Sequence, residues 1–404
     1  MITAIAWRNV WRNKLRSIVI IMAISAGLTG GIFTVALYNG LTDQKLRTAI
    51  DTQTAHLQIH TRGFQQNKDI RLYMDNAGEI LTAIENQEAV KAVASRLVTT
   101  AMAATSNANT GVQLNGILPE KEAQVSTIYQ SMIEGDYFQE EKKNQIVISS
   151  RTADKLKVGI NGKVVITLQD IHGEIVGAAF RVSGIFKTSH SMFDEANMFV
   201  RKQDVGRVLS MPGKVNEFAI RLHDIETVPL VQQALQTAFP EDTDIQSWRE
   251  IQPELAYIND AAWQINYLIL IIILLALAFG ILNTMLMAIF ERVKEIGVLM
   301  AVGMSKFRIF AMIILETVFL SLTGAAIGMV ISAGLVYATG NSGIDLSMFA
   351  QGLEAVGLGS MVYPQLEPQF YATLAFMVII AALISSLYPA FKALKLKPVE
   401  AIHG

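Results

Sequence analysis

Glu316 is the only acidic residue in a run from Ile309 to Ile344 that holds no other charge. A charge near the centre of a bilayer costs about 2.5–3.5 kcal/mol on insertion scales, so such a residue faces protein or water. Glu316 lies eight residues beyond Arg308, and Asn283 lies eight residues before Glu291. At about 1.5 Å per residue, both sit roughly 12 Å in from those charges. The spacing predicts that Glu316 faces a helix-bundle interior, with Asn283 or Thr284 as its nearest polar partner. Its role would be a polar clasp, because a proton relay needs a chain of titratable groups and none is visible. His56 and His60 are four apart around Gln58 in a strand-like run. A metal pair would need a third ligand that the sequence does not offer, so they read as a solvated sheet face. In "GINGKV", Lys157 stands where a phosphate-binding loop needs its first glycine, and no Ser or Thr follows Lys163. Neither H-E-x-x-H nor G-x-S-x-G occurs. No catalytic, cofactor-binding or metal-binding residue is expected.

The second candidate is "ERVKEIGVLMAVGMSKFRIF", Glu291 to Phe310. Val293, Ile296, Met300, Gly303 and Phe307 recur at helical spacing and would form one apolar face. Glu291, Arg292, Lys294 and Glu295 supply a charged end. Gly297 and Gly303 each cost a helix roughly 1 kcal/mol against Ala, which points to close approach or a break. A short helix of this kind suits docking on another protein, with Val293, Ile296 and Met300 inserted and Glu295 at the rim.

These residues must be held by membrane helices. Ser17–Thr42, Ala261–Phe290 and Pro368–Phe391 hold no Lys, Arg, Asp or Glu. With the run containing Glu316, they make four stretches longer than the roughly 20 residues that cross a bilayer core. Arg8, Arg12, Lys14 and Arg16 precede the first, and Arg292, Lys294, Lys306 and Arg308 lie between the second and third. Lys392, Lys395 and Lys397 follow the fourth, whereas Thr339–Phe370 has no Lys or Arg. By the positive-inside rule, both termini and the second connection are cytoplasmic, and the first and third connections lie outside. The fold class expected is a membrane protein of four transmembrane α-helices, with a large mixed α/β extracytoplasmic domain inserted between helices 1 and 2.

The expected order is an interfacial helix at 1–16, in which Trp7 and Trp11 flank Arg8 and Arg12, then spans at 17–42, 261–290, 309–338 and 370–391. The short docking helix, cytoplasmic, occupies 291–308, an external loop 339–369 and a cytoplasmic tail 392–404. The extracytoplasmic domain occupies 43–260. Strands are expected at "AHLQIH", "NQIVIS", "KVVITL", "AAFRVSGIF" and "NEFAIRL". Helices are expected at "GEILTAIENQ", "SRTADKLK" and "VPLVQQALQTAF". Ala23, Gly27 and Gly31 in the first span, and Gly324, Gly328 and Ser332 in the third, recur every four residues. Such faces let helices approach closely in lipid, so at least one of them is expected at a helix–helix contact, in dimer packing or within the chain.

Composition agrees. The hydrophobic fraction is 51%, the net charge of −2 gives no case for nucleic acid, and the absence of cysteine excludes disulfides and thiolate chemistry. One intramembrane charge and no internal repeat argue against an ion-coupled secondary transporter.

The stretch "NTMLMAIFERVKEIGVLMAVGMSKFRIFAMIILETVFLSLTGAAIGMVIS" closely resembles the FtsX-like permeases, the MacB and LolC/LolE superfamily of ABC transporters. "YPAFKALKLKPVEAI" resembles that family's C-terminus and "WRNVWRNKLRS" its leading helix. "NQIVISSRTADKLKVGINGKVVITL" is similar to the start of the family's Sabre-type insertion, here about 140–212, between porter-like pieces at 43–118 and 214–252. "HLQIHTRGF" and "DLSMFAQGLEAVGLGSMVYPQLEP" resemble the lipoprotein-releasing LolC/LolE group. The resemblance implies a cytoplasmic ABC ATPase partner, a second permease copy or paralogue, an inner-membrane location and a periplasmic domain moved by ATP hydrolysis. It also implies a lipoprotein or a periplasmic carrier as partner. MacB-type efflux of drugs, peptides or toxins and FtsX-type regulation of a cell-wall hydrolase are the alternatives it leaves.

Overall fold

The computed structural model describes residues 2–139, 142–239 and 243–394. The chain divides into two units. One comprises Met1–Thr42, Asp260–Asp345 and Met361–Gly404, and the other Asp43–Asn259 and Leu346–Ser360.

The first unit is helical. It contains α1 (Ile2–Arg12), parts of α2 (Lys14–Ala49) and α11 (Pro253–Glu291), α12 (Val293–Ala301), α13 (Lys306–Ser342) and α15 (Pro368–Leu394). Helices Lys14–Thr54, Pro253–Glu291, Lys306–Ser342 and Pro368–Leu394 are long and apolar enough to cross a membrane. The tail expected at 392–404 lies outside the described residues from 395 onward. Ile24, Leu28, Ile281, Met285, Ile313, Leu320 and Val378 form the shared core. The N-terminal helix α1 packs on α13: Ala6 and Val10 are fully buried, and the Trp7 ring meets Phe319 edge-on at 5.5 Å.

The small-residue faces are occupied inside this chain. A Cβ on Gly328 would lie 2.9 Å from the Ser25 carbonyl oxygen and 3.1 Å from its Cα. One on Gly324 would lie 2.9 Å from Ile24 Cβ. The Ser25 hydroxyl donates to the Gly324 carbonyl at 2.8 Å, and Thr29 to that of Gly328 at 3.2 Å. Gly27 and Gly31 instead meet the ends of Leu277 and Ile273 on α11. The four glycines therefore seat α2 against α13 and α11 within this chain. Backbone cannot yield as a side-chain end can. Gly328→Ala should therefore destabilise by about 1–3 kcal/mol through overpacking, whereas Gly27→Ala should be near neutral. Thermal unfolding of both variants in detergent checks this, and equal melting temperatures would refute it.

The second unit is α/β. Its strands are β1 (Leu57–Thr61), β2 (Val90–Ala104), β3 (Asn109–Ile117), β4 (Met132–Gly135), β5 (Gln145–Ser149), β6 (Lys163–Gln169), β7 (Ile175–Phe186), β8 (Asn197–Arg201), β9 (Glu217–Leu222) and β10 (Thr243–Ser247). The strand order is β10-β1-β9-β2-β3-β8-β5-β7-β4, and β6 joins β2 to β7. Strands β2, β3, β8, β5, β7 and β6 thus close a ring around Leu97, Leu114, Ile148, Ile166, Phe180 and Val200. The other end, β10-β1-β9-β2, is an antiparallel sheet. Its apolar face is covered by α4 (Ala77–Glu85) and α9 (Val228–Ala238), through Ile80, Ile84, Val231 and Leu235. Strand β2 serves both ends: Arg96 and the residues before it pair with β9, and Leu97 onward with β3. The chain before residue 118 therefore contributes to both ends of this unit.

The remaining helices of this unit are α3 (Phe64–Asn67), α5 (Pro119–Val125), α6 (Ser150–Leu156), α7 (Ser191–Ala196), α8 (Lys202–Val208), α10 (Trp248–Ile251) and α14 (Ala350–Ala355). Helix α14 comes from the connection expected as an external loop. Its Glu354 pairs with Lys187 at 2.9 Å and Arg151 at 3.5 Å.

Candidate functional site

Helix α12 is short because its ends are fixed. Arg292 leaves helical geometry at φ −113°, ψ 21°, which separates α11 from α12. At the other end Gly303 has φ +95°. The Gly303 amide donates to the Met300 carbonyl at 3.1 Å, and Met304 to Leu299 at 3.0 Å. This paired pattern is a Schellman cap, which needs a left-handed residue that glycine supplies without strain. Of the two glycines singled out in the sequence, Gly303 makes the break and Gly297 is buried.

The apolar face lies the other way round from the sequence expectation. Ile296 is 5% exposed and belongs to the core that holds Ile289, Ile309 and Ile313. Met300 packs beside it, and Val293 is half-buried. None of the three is an open docking residue. Two apolar side chains that do stand free are Val302, 82% exposed, and Phe307, 77% exposed. The helical spacing gives a real face, but the bundle of the same chain covers it at Ile296, while Phe307 of the same stripe stays exposed.

The charged residues form one network. Arg292 donates from Nη1 to both carboxylate oxygens of Glu316, at 3.1 and 3.2 Å, and from Nε to Glu295 at 2.9 Å. Arg12 of α1 also donates to Glu295. Arg16 at the base of α2 donates to Glu291 at 3.0 Å and comes within 4.0 Å of Glu316. The hydrogen bond from Arg12 holds the Glu295 carboxyl below its usual value against the opposing effect of burial, and Arg292 adds a smaller lowering. The network ties α1, α2, α11, α12 and α13 together.

Glu316 is 4% exposed, and its partner is Arg292, not Asn283 or Thr284. Asn283 is exposed, and Thr284 donates to the Gly280 carbonyl of its own helix at 2.6 Å. An arginine at the helix end reaches inward far enough to meet an acid about two turns deep. The sequence marks Arg292 as a topology signal and as part of the charged end of α12, and neither reading pairs it with Glu316.

The α/β unit carries a second buried ionic group. Arg96 donates to Glu122 through Nε at 2.9 Å and Nη2 at 2.6 Å, and to Glu217 through Nη1 at 2.7 Å. His60 Nε2 lies 3.1 Å from the other Glu217 oxygen and is fully buried, which corrects the solvated-face reading of His60. Burial pushes the Glu217 carboxyl up, but His60 and Arg96 outweigh it and hold it well below the usual carboxylate range. Among the described residues, no group of His, Asp and Glu could hold a metal ion.

Asp194 on α7 behaves oppositely. Burial raises its carboxyl from 3.8 to about 6, despite hydrogen bonds from the Thr188 hydroxyl at 2.6 Å and amide at 3.0 Å. The folded value lies above the unfolded one, so stability falls as pH rises from about 4 to 6 and stays lower above that. Burial lowers the neighbouring His190, which acts in the opposite sense. Asp194→Asn should remove a pH-dependent difference of at most about 3 kcal/mol between pH 4 and 7. Amide exchange over residues 188–197 of wild type and variant across that range measures it. Parallel pH profiles would exclude the effect.

The family model described as MacB-like periplasmic core domain matches residues 17–238, and the one described as FtsX-like permease C-terminal matches residues 267–398. The chain is 21% identical over 407 residues to the lipoprotein-releasing system transmembrane protein LolC of Neisseria meningitidis serogroup B, covering 96% of this chain and 94% of that protein. It is 22% identical to LolE of the same named system in Haemophilus influenzae, covering 72% of each. It is also 25% identical to the macrolide export ATP-binding/permease protein MacB of Shewanella oneidensis, covering 96% of this chain and 58% of that protein.

Proposed function

Since the chain belongs to the family of ABC transporter permeases with a MacB-like periplasmic core and an FtsX-like permease domain, we propose that it couples ATP hydrolysis on a separate cytoplasmic subunit to motion of its α/β domain. It would sit in the inner membrane with both termini cytoplasmic, the α/β domain periplasmic, and a second copy or paralogue beside it. Its cargo would be lipoproteins or other hydrophobic substrates released from the outer leaflet. The lipoprotein reading draws on the relative named LolC, matched over nearly its whole length. MacB-type export stays as the second reading, because the relative of that name also aligns with 96% of this chain. The chain itself would hydrolyse nothing, and it has no phosphate-binding loop.

The observation that carries the coupling reading is α12 itself. It is tied by Arg292 to Glu316, while Val302 and Phe307 beside its capped end stand free. Burying such apolar anchors typically contributes 1 kcal/mol or more each to an interface. Phe307→Asp with Val302→Asp should therefore abolish co-purification of the ATPase subunit and its stimulated hydrolysis, with membrane insertion intact. Undiminished co-purification would refute docking at this place. Lipoprotein release and drug efflux separate in reconstituted vesicles loaded with one or the other.

A further inference from the structure

Beside α12 lies a cleft of about 570 Å³ between α1, α12 and α13. That volume is in the range of ligand pockets, roughly 300–1,000 Å³. Its lining is divided. Arg12, Arg292 and Lys294 stand at one side with Glu295, and with Glu316 bound to Arg292 the local count is three cations to two carboxylates. Ile5, Leu299, Met304 and Met312 supply an apolar side.

Arg12 and Arg292 both spend hydrogen bonds on Glu295. Lys294 is exposed and has no ion-pair partner among the described residues. Arg8, one turn from Arg12, is exposed as well. On the same helix Trp7 and Trp11 are 46% and 39% exposed, as suits side chains at a membrane–water boundary. The cleft therefore joins an excess of positive charge to a greasy wall where α13 begins its span.

We infer that this cleft binds one anionic phospholipid of the cytoplasmic leaflet, its phosphate at Lys294 and Arg12 and the upper part of an acyl chain along Leu299, Met304 and Met312. A free anion would use only the cationic side. Basic pockets among membrane helices on the cytoplasmic side hold anionic headgroups by this combination of charge and apolar contact. The inference rests on α13 being a span, and not on docking of an ATPase.

The test is native mass spectrometry of the full chain released from nanodiscs of phosphatidylcholine mixed with phosphatidylglycerol. One phosphatidylglycerol per chain should be retained in preference to phosphatidylcholine, and inorganic phosphate should not displace it. Each cation near an anionic surface contributes about 1 kcal/mol, so Lys294→Glu should weaken retention on the order of 20-fold. Lys294→Arg should restore it. Lys294 is exposed and outside the ion-pair network, so folding is not at stake, and Phe307→Asp should leave retention unchanged. Equal retention of both lipids, indifference to Lys294→Glu, displacement by phosphate, or loss when the ATPase subunit is added would each overturn the site. The last of these outcomes would assign the cleft to protein.

Discussion

Arg96→Met should be among the most damaging single substitutions in the α/β domain. Arg96 is 5% exposed, and its partners Glu122 and Glu217 are 0% and 3% exposed. Methionine keeps much of the side-chain bulk, so the loss is mainly of charge. It leaves two carboxylates buried with no cation between them. Removing one member of a buried pair typically costs about 3–5 kcal/mol, at the upper end for any point substitution. The pH dependence should also change sign. In the wild type, Glu217 is held well below its ordinary 4.5. Its contribution is present above that value and is lost only as pH falls through the lower folded one. In the variant, like charges raise one carboxylate, so stability should be recovered, not lost, as pH is lowered. Adding Glu122→Gln and Glu217→Gln should return part of the deficit. Amide exchange of β2 and β9 in the full-length protein reads all of this. Unchanged protection at neutral pH would show that the ionic group is dispensable.

The parts of this domain that were legible in the sequence were those whose two faces differ. "KVVITL" in β6 buries Val164, Ile166 and Leu168 and exposes Lys163, Val165 and Gln169 in strict alternation. Helices α4 and α9 showed the apolar stripe that covers the sheet. The longest strand, β2, was missed. Ala92, Val93 and Ala94 are all buried, as are Leu97, Val98 and Thr99, because the strand is covered on both faces where it passes between the two ends. Alternation vanishes under those conditions, and its many alanines are weak strand formers. Composition had no way to announce that one strand serves both ends.

The membrane site shows a similar division. Insertion cost alone placed Glu316 toward protein, and the structure buries it. Periodicity alone found the stripe through Val293, Ile296 and Met300. Neither consideration names the neighbour. A stripe on an amphipathic helix is satisfied equally by a partner protein or by the chain's own bundle, and here the bundle takes Ile296. The partner of an intramembrane acid was sought at equal depth. The arginine side chain, long and anchored at the boundary, was the better candidate on reach. The small-residue faces likewise marked close approach without saying whose helix approaches, and Ser25 and Ile24 of the same chain supplied the answer.

The clasp at Glu316 should be graded by which partner is removed. Glu316 has 5% of its side chain exposed, against 17% for Arg292 and 18% for Arg16. Removing the acid leaves two arginines near the headgroup region, where they can turn toward water and anionic lipid. Removing Arg292 leaves a buried acid whose remaining cation, Arg16, is 4.0 Å away and already engaged by Glu291. Arg292→Gln should therefore cost more stability than Arg16→Gln, approaching the roughly 3–5 kcal/mol of a broken buried pair. Function should follow a different order. If α12 transmits motion to α13 through this bond, Glu316→Gln should retain a hydrogen bond to Arg292 and much of the activity. Glu316→Leu should uncouple, with ATPase still bound and hydrolysing but transport reduced at least tenfold. The exchanged pair Glu316→Arg with Arg292→Glu restores the charge balance and should recover more transport than either single change. The measurements are ATP hydrolysis and substrate release by the same reconstituted complex. Loss of both together in Glu316→Leu would mean that the residue only holds the fold, and full transport would mean that α12 moves α13 through its apolar contacts at Ile296, with the ionic bond a bystander.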